Sequence, residues 1–553
     1  MPDKRLIIGI LILLTTNLLQ AFFTPISEDE AYYWLWSQNL DWGYFDHPPM
    51  VAWWISVGSN IFHHELGVRL LTVFFNSFSA FLLWKILRPE TSKHFQLFGI
   101  IFGSTLVFQV FGFLTTPDAP LLFFTILYLF SLKNFLEKNS IFYTVLLAVS
   151  LAGLVYSKYH GILVIFFTLI PILKLWWKNP RFYAAVLGSL VLYLPHIIWL
   201  FEHDFIPIQY HFLERSSDET FELRKLTNYL GIYFFGCAPF LSYFIFQSIY
   251  KFKSENPFRK SIWWLSILPG AFFFLSIFKD NVQPQWLLIS FIAMALLLYW
   301  NYATNVEEHN SKLKWLFRLG FTGIILVLAF RILLTIPSIS PFYKNQLFGN
   351  QLKKEPIPNA VFEKYQEASV YKFYNPERKV AVHRTLGNRK SQFDLWNWEE
   401  DFYGKTVSYI SPWVKSDQFF KGYKNRDYYI KEIPDYLTYQ LVEIETEKEI
   451  SAKPKQIIDL KIKLKNLHDH PLRIGKDSKL KLNISYYKDL QYEIVHSYGI
   501  ETENFELSPN EEKELTISFK NSSETGDFKA CVGIHYSEIG TTYLSKPIRI
   551  LVK

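Results

Sequence analysis

Two consecutive stretches decide the fold: LIIGILILLTTNLLQAFF at Leu6–Phe23 and TPISEDEAYYWLWSQNLDWGYFDHPPM at Thr24–Met50. The first carries no charge and is long enough to cross a hydrocarbon core about 30 Å thick. Lys4-Arg5 precede it, and Gln20-Ala21-Phe22-Phe23 is a poor cleavage site. The expectation is therefore a retained membrane helix, not a removed leader. The second stretch opens a segment, 24–65, with no Lys or Arg but with Glu28, Asp29, Glu30, Asp41, Asp46 and a dense set of Trp and Tyr.

Working outward, apolar runs recur at 66–87, 95–113, 119–136, 141–157, 161–175, 182–201, 227–250, 262–278, 284–302 and 315–336. With 6–23 they make about eleven transmembrane helices. The loops orient them. One set, with Lys4 and Arg5, holds seventeen Lys and Arg, among them Arg88, Lys93, Arg181, Lys253 and Arg318. The other set holds five: Lys158, Arg215, Arg224, Lys225 and Lys279. The basic side faces the cytosol. The net charge of +7 is thus a topology signal and not a nucleic-acid patch.

The opposite side collects Glu28-Asp29-Glu30, Asp46-His47-Pro48-Pro49, Thr116-Pro117-Asp118, Lys158-Tyr159-His160 and Glu202-His203-Asp204. Polar groups at a membrane boundary are costly and usually functional. Asp29–Gln38 reads as a short helix with acids at its N-terminus, and a second interfacial helix carrying Trp53-Trp54 follows Pro48-Pro49. Three adjacent acids repel one another unless a cation or donor lies close. The bland alternative is an aromatic belt with incidental acids. No H-E-x-x-H pair is present, and His160, His196, His203 and His211 read as structural donors.

Ser27-Glu28-Asp29-Glu30-Ala31-Tyr32-Tyr33-Trp34, Gly43–Met50 and Thr115-Thr116-Pro117-Asp118-Ala119-Pro120 resemble bacterial glycosyltransferases of the GT-C fold. These are related to protein O-mannosyltransferases and the lipid A aminoarabinose transferase. The resemblance spans roughly the first 300 residues. It implies an inverting transfer from a polyprenyl-phosphate sugar, outside the cytoplasmic (inner) membrane, to a lipid, glycan or protein acceptor. It also implies Asp29 as base, Glu30 as its neighbouring catalytic acid, and Asp46 as a holder of a divalent metal ion or of the donor phosphate. His47 stands where Lys is frequent in that family. A phosphate leaves as a stable anion, so one carboxylate base plus cations suffices. His47, Asp118, Lys158 and Arg215 join Asp46 as candidate donor-phosphate groups, and Lys279 is a further outside cation. For Lys158 the alternative is a snorkelling side chain, for Arg215 a surface ion pair, and for Asp118 a helix cap.

After Pro337 the composition turns polar. The reading divides the chain into a transmembrane catalytic domain at 1–336, an extracytoplasmic α/β segment at 337–440 and an immunoglobulin-like β-sandwich at 441–553. Ala360–Tyr374 reads as helix; Lys379–His383 and Val407–Ser411 read as strands. So do Ile457–Leu464, Lys479–Tyr486, Glu514–Phe519, Phe528–Tyr536 and Ile548–Val552. His468-Asp469-His470 is read as a turn, with metal binding as its rival. Cys237 and Cys531 make no disulfide framework. The rival functional readings are a transporter, or a non-catalytic scaffold with an outer binding module. A transporter needs ionisable groups deep in its spans, and here the central spans are nearly free of charge, apart from Arg69 and Arg331 close to their ends.

Overall fold

The computed structural model describes residues 4–553 apart from 212–221, 279–280, 305, 308–310, 354, 356, 358, 386–387, 423–425 and 488–493. The chain divides into two compact units, Met1–Gln346 and Leu347–Lys553.

In the first unit, α1 (Lys4–Phe23) is followed by two short helices, α2 (Glu28–Gln38) and α3 (Met50–Ser59), and by α4 (Glu65–Leu87). Then come α5 (Ser92–Ser104), α6 (Leu106–Val110), α7 (Asp118–Lys138), α8 (Ile141–Ser157), α9 (Gly161–Leu169), α10 (Leu173–Trp176) and α11 (Pro180–Glu202). The unit continues with α12 (Ile206–Gln209), α13 (Leu223–Phe235), α14 (Ser242–Tyr250), α15 (Pro257–Ser276), α16 (Leu288–Ala303) and α17 (Ser311–Leu333). All eleven apolar runs are helical. Six are long and apolar enough to cross a membrane by themselves, and α13 with α14 make a seventh, bent by 77°. Of the remaining runs, that in α15 is a 20-residue helix carrying Arg259 and Lys260, and the others are shorter or broken, as at Thr105 and Ile170–Ile172.

The solvent for this unit is lipid, so burial sorts helices rather than residue polarity. α7 and α16 are mostly enclosed, whereas α1, α11 and α17 leave Ile8, Leu11, Leu187, Val191, Phe321 and Ile332 exposed. Close packing uses small residues. A Cβ on Gly58 of α3 would lie 2.1 Å from the Gly67 carbonyl of α4, so the two backbones touch there.

Helix α18 (Phe342–Lys353) straddles the division at 346/347, and its Asn345, in the first unit, donates to the Ile26 carbonyl at 2.9 Å. The second unit runs from Leu347. A five-stranded sheet comprises β1 (Asn359–Phe362), β2 (Lys379–Val382), β3 (Val407–Ser411), β4 (Phe419–Lys421) and β5 (Asp427–Ile433), in the order β2-β1-β3-β5-β4. β1 is parallel to both β2 and β3. Helix α19 (Tyr365–Tyr374) makes the β1-to-β2 crossover, and α20 (Gln392–Trp396) precedes β3. The expected helix from Ala360 therefore starts five residues late. Ala360, Val361 and Phe362 are fully buried between neighbours, which favours a central strand over one amphipathic helix face.

The remaining strands are β6 (Val442–Thr446), β7 (Glu449–Ala452), β8 (Ile457–Asn466), β9 (Leu472–Ile474), β10 (Leu480–Tyr487), β11 (Ile494–Gly499), β12 (Phe505–Leu507), β13 (Glu512–Lys520), β14 (Gly526–Tyr536), β15 (Gly540–Tyr543) and β16 (Ile548–Val552). They form a three-stranded sheet, β13-β8-β6, and a larger one along β12-β9-β10-β14-β16-β7. The inward residues Leu460, Ile462, Leu482, Ile484, Val532 and Ile550 interdigitate. The same core takes in Val361, Tyr409, Tyr436 and Tyr439. The α/β part and the sandwich thus share one interior.

Candidate active site

The site begins with a capping box. Ser27 accepts the Glu30 N–H, and the Glu30 carboxylate returns to the Ser27 N–H, which starts α2 within an acidic turn. Successive helical residues point about 100° apart, so the three acids part company. Glu28 and Asp29 are exposed; Glu30 is completely buried.

Glu30 is the junction of the site. Arg69 of α4 grips it twice, Nε to Oε1 at 2.7 Å and Nη2 to Oε2 at 2.6 Å. The rest of the guanidinium binds the carbonyls of Ala21, Thr24 and Pro25. The Thr115 N–H, from the second acidic motif, donates to Glu30 Oε1 at 2.9 Å. Every hydrogen of this guanidinium is engaged, and Glu30 accepts from Ser27, Arg69 and Thr115. Glu30 is therefore no free catalytic acid, contrary to the expectation. Its oxygens are consumed in holding α1, α2, α4 and the 111–117 turn together.

The return loop is shaped by aromatics. Trp36 stacks on Tyr44 at 4.4 Å, and the Tyr44 hydroxyl donates to the loop carbonyls of Trp36 and Asn39. A Cβ on Gly43 would sit 2.3 Å from the Trp199 ring, so only glycine lets α11 approach. Asp46 ends buried, its carbonyl accepting from His211 Nε2 at 2.8 Å. The His47 ring lies 5.7 Å from His211 and 6.3 Å from Tyr33, one turn beyond Asp29.

Asp118 starts α7 and is buried against Lys158, Nζ to Oδ1 at 2.8 Å. Lys158 does not snorkel. Burial, and then the Asp46 carboxylate, push the Tyr159 phenol well above its usual range. Asp46 is thus within electrostatic reach of the Lys158–Tyr159 turn. Tyr159 also meets His196 Nε2 at 3.3 Å, while His196 Nδ1 donates to the Trp42 carbonyl at 2.6 Å. Asp46, His47, Asp118 and Lys158 therefore gather at the end of the helices where α2 presents Asp29. Arg215 and Lys279 lie outside the described residues.

Arg69, Tyr159, His196 and His211 were not singled out for the site from sequence. Arg69 had one signal: three adjacent acids need a cation, and it is the cation at the outer end of α4. The other buried arginine, Arg331, is held by neutral groups, Asn17, Gln20 and Gln109. It borders an apolar cavity of about 550 Å³ lined by Leu106, Val110, Phe113, Phe240, Leu326 and Phe330.

At Asp46, the described residues bring no further pair of His, Cys or carboxylate ligands within metal-binding distance of one another. The grouping with ligand-like spacing is Glu400, His468 and His470, in the second unit. It is a hydrogen-bond cluster. The Leu441 N–H donates to His468 Nε2 at 3.0 Å, which puts the proton on Nδ1, and Nδ1 donates to Glu400 Oε1 at 2.8 Å. A metal at Nδ1 would need the lone pair that this proton occupies.

Residues 46–199 match the family model described as dolichyl-phosphate-mannose-protein mannosyltransferase. The chain is 25% identical over 295 residues to the lipid A galacturonosyltransferase RgtD of Rhizobium johnstonii, covering 50% of this chain and 60% of that protein. The match thus spans about three fifths of the relative's length. Among solved structures, ArnT from Cupriavidus metallidurans superposes over 77% of this chain and 97% of its own. The TM-score is 0.57 for the apo form, at 12% identity, and 0.55 for the form bound to undecaprenyl phosphate. The fold is thus the one ArnT has, the GT-C fold that the two acidic motifs implied.

Proposed function

We propose that this chain, a polytopic membrane protein with the GT-C fold, is a glycosyltransferase that moves a sugar from a polyprenyl phosphate to an acceptor hydroxyl. One observation carries the reading: a single buried carboxylate, Glu30, joins the two acidic loops, leaving Asp29 exposed beside a buried Asp118–Lys158 pair. Two similar proteins, a lipid A galacturonosyltransferase and ArnT with undecaprenyl phosphate bound, support the choice of donor and of a lipid or glycan acceptor.

In this reading Asp29 takes the proton of the acceptor hydroxyl. The acceptor oxygen bonds to the anomeric carbon from the face opposite the phosphate. The carbon–oxygen bond to phosphate breaks, and its electron pair leaves with the phosphate. Configuration inverts. Lys158 and His47 stabilise the departing charge, with Asp118 holding Lys158 in place. Asp46 orients the donor headgroup. Were a divalent ion held at this site, Asp46 would be the residue to hold it, and the ion would offset the charge of the donor phosphate. The apolar cavity beside Arg331 suits an isoprenoid tail.

The test is transfer from a radiolabelled polyprenyl-phosphate sugar by the purified protein, with product stereochemistry read by NMR. Retention of anomeric configuration, or unaltered transfer by Asp29→Asn, would sink the mechanism. A transporter reading is less well supported. Among the described residues the two buried arginines of the spans are bound to protein groups.

A further inference from the structure

The second unit carries a crevice that the transfer site does not use. Strands β2, β1 and β3 run parallel and end at one level. From β1 the chain crosses to β2 through α19, while β3 flanks the other side. Strand order reverses at the carboxyl end of β1, and in open α/β sheets ligands bind in the crevice outside such a point. The register places Glu363, just past β1, between His383 of the β2 end and Ser411 of the β3 end.

His383 is spoken for by Glu399, Tyr439 and Thr542. Glu363 is not. It is only 4% exposed, and its Oε1 accepts the hydroxyls of Tyr409 and Ser411. Its Oε2 has no partner among the described residues, yet protein does not seal it off. An acceptor so deep and so open is a place for a donor from outside.

The rim is aromatic and cationic. Ser411 Oγ also accepts the Trp413 N–H at 3.0 Å, which fixes Trp413 one hydroxyl away from Glu363. The Trp413 side chain is 66% exposed, and the Arg426 guanidinium lies over its ring at 4.9 Å. Two residues past Glu363, Tyr365 receives the Arg389 guanidinium on its hydroxyl at 2.6 Å.

We propose that this crevice binds a saccharide, with Glu363 Oε2 accepting sugar hydroxyls and Trp413 stacking on the ring. A carboxylate as the deepest polar group disfavours a phosphate. A single carboxylate among hydroxyls is too few ligands for a resident metal. Paired hydroxyl donors with an apolar ring face match both the free oxygen and the open indole. The site lies wholly within 347–553 and includes none of Asp29, Asp46 or Asp118.

The experiment is tryptophan-fluorescence titration of the full chain, purified in a detergent without a sugar headgroup, with neutral hexose and N-acetylhexosamine disaccharides. Saturable binding is expected, weakened about tenfold by Glu363→Gln and abolished in signal by Trp413→Ala, with neither variant less stable than the parent. Asp29→Asn should bind as the parent does, so failure of the transfer reading leaves this one standing. A second arm uses the same sugars on polyprenyl phosphate. Tighter binding there assigns the crevice to a membrane-borne glycan; equal binding assigns it to glycans in solution. No binding in either arm, or binding indifferent to both Glu363→Gln and Trp413→Ala, overturns the proposal.

Discussion

Glu30 accepts the backbone N–H of Thr115 at 2.9 Å, across 85 residues of sequence, while Arg69 holds its two oxygens from the side. Two loops that each carry an acidic motif are fixed to one buried carboxylate. Removing one partner of such a pair strands the other charge without water.

Glu30→Ala or Arg69→Ala is therefore expected to cost about 3–5 kcal/mol and to abolish transfer. Arg69→Lys should recover little, because an ammonium cannot match five donors in a planar fork. Thermal unfolding in detergent, run beside the transfer assay, checks both. Parental stability in Arg69→Ala would show that the pair does not organise the loops.

Asp29 stands one residue away and is exposed. Asp29→Asn should leave the melting temperature within error and lower the transfer rate at least ~10²-fold. A fall in stability matching the fall in rate would instead make Asp29 structural.

The Asp118–Lys158 pair is buried at both ends. Lys158→Met and Asp118→Asn should each destabilise by several kcal/mol, roughly 3–5, and the double variant by less than their sum. The measurement is a double-mutant cycle on unfolding. Simple additivity would mean that the two side chains do not depend on one another.

Acid sensitivity in the second unit should divide between two glutamates. Burial opposes ionisation of Glu400, but the hydrogen bond from His468, with His470 beside it, holds its carboxyl below the usual range. Such a group stabilises the fold above its unfolded pKa of about 4.3 and loses that contribution as pH falls through the depressed folded value. Glu363 is raised by burial, so its sign is opposite: the fold is favoured below the unfolded pKa, and that advantage is lost as pH rises through the raised value. Glu400→Gln is expected to flatten the acid limb of stability, and Glu363→Gln to stabilise at neutral pH. Hydrogen exchange of strand amides between 347 and 553 in the full chain, followed against pH, reads both. An unchanged acid limb in Glu400→Gln would refute the first.

The sequence alone marked the apolar runs that become helices, the short helices at Asp29–Gln38 and after Pro48-Pro49, the strands with clean alternation such as β8, β13 and β14, and the acids worth watching. These rest on local facts: run length, period, charge bias and capping residues. It could not tell which of three adjacent acids turns inward, because that depends on Arg69 and Thr115 arriving from elsewhere in the chain. Nor could it find β1, whose fully buried run reads equally well as helix, or the crevice at Glu363, which exists only once two parallel strands flank a third. Lipid and water select elements one at a time; buried ion pairs and strand neighbours are chosen by tertiary packing, which pairs residues far apart in the chain.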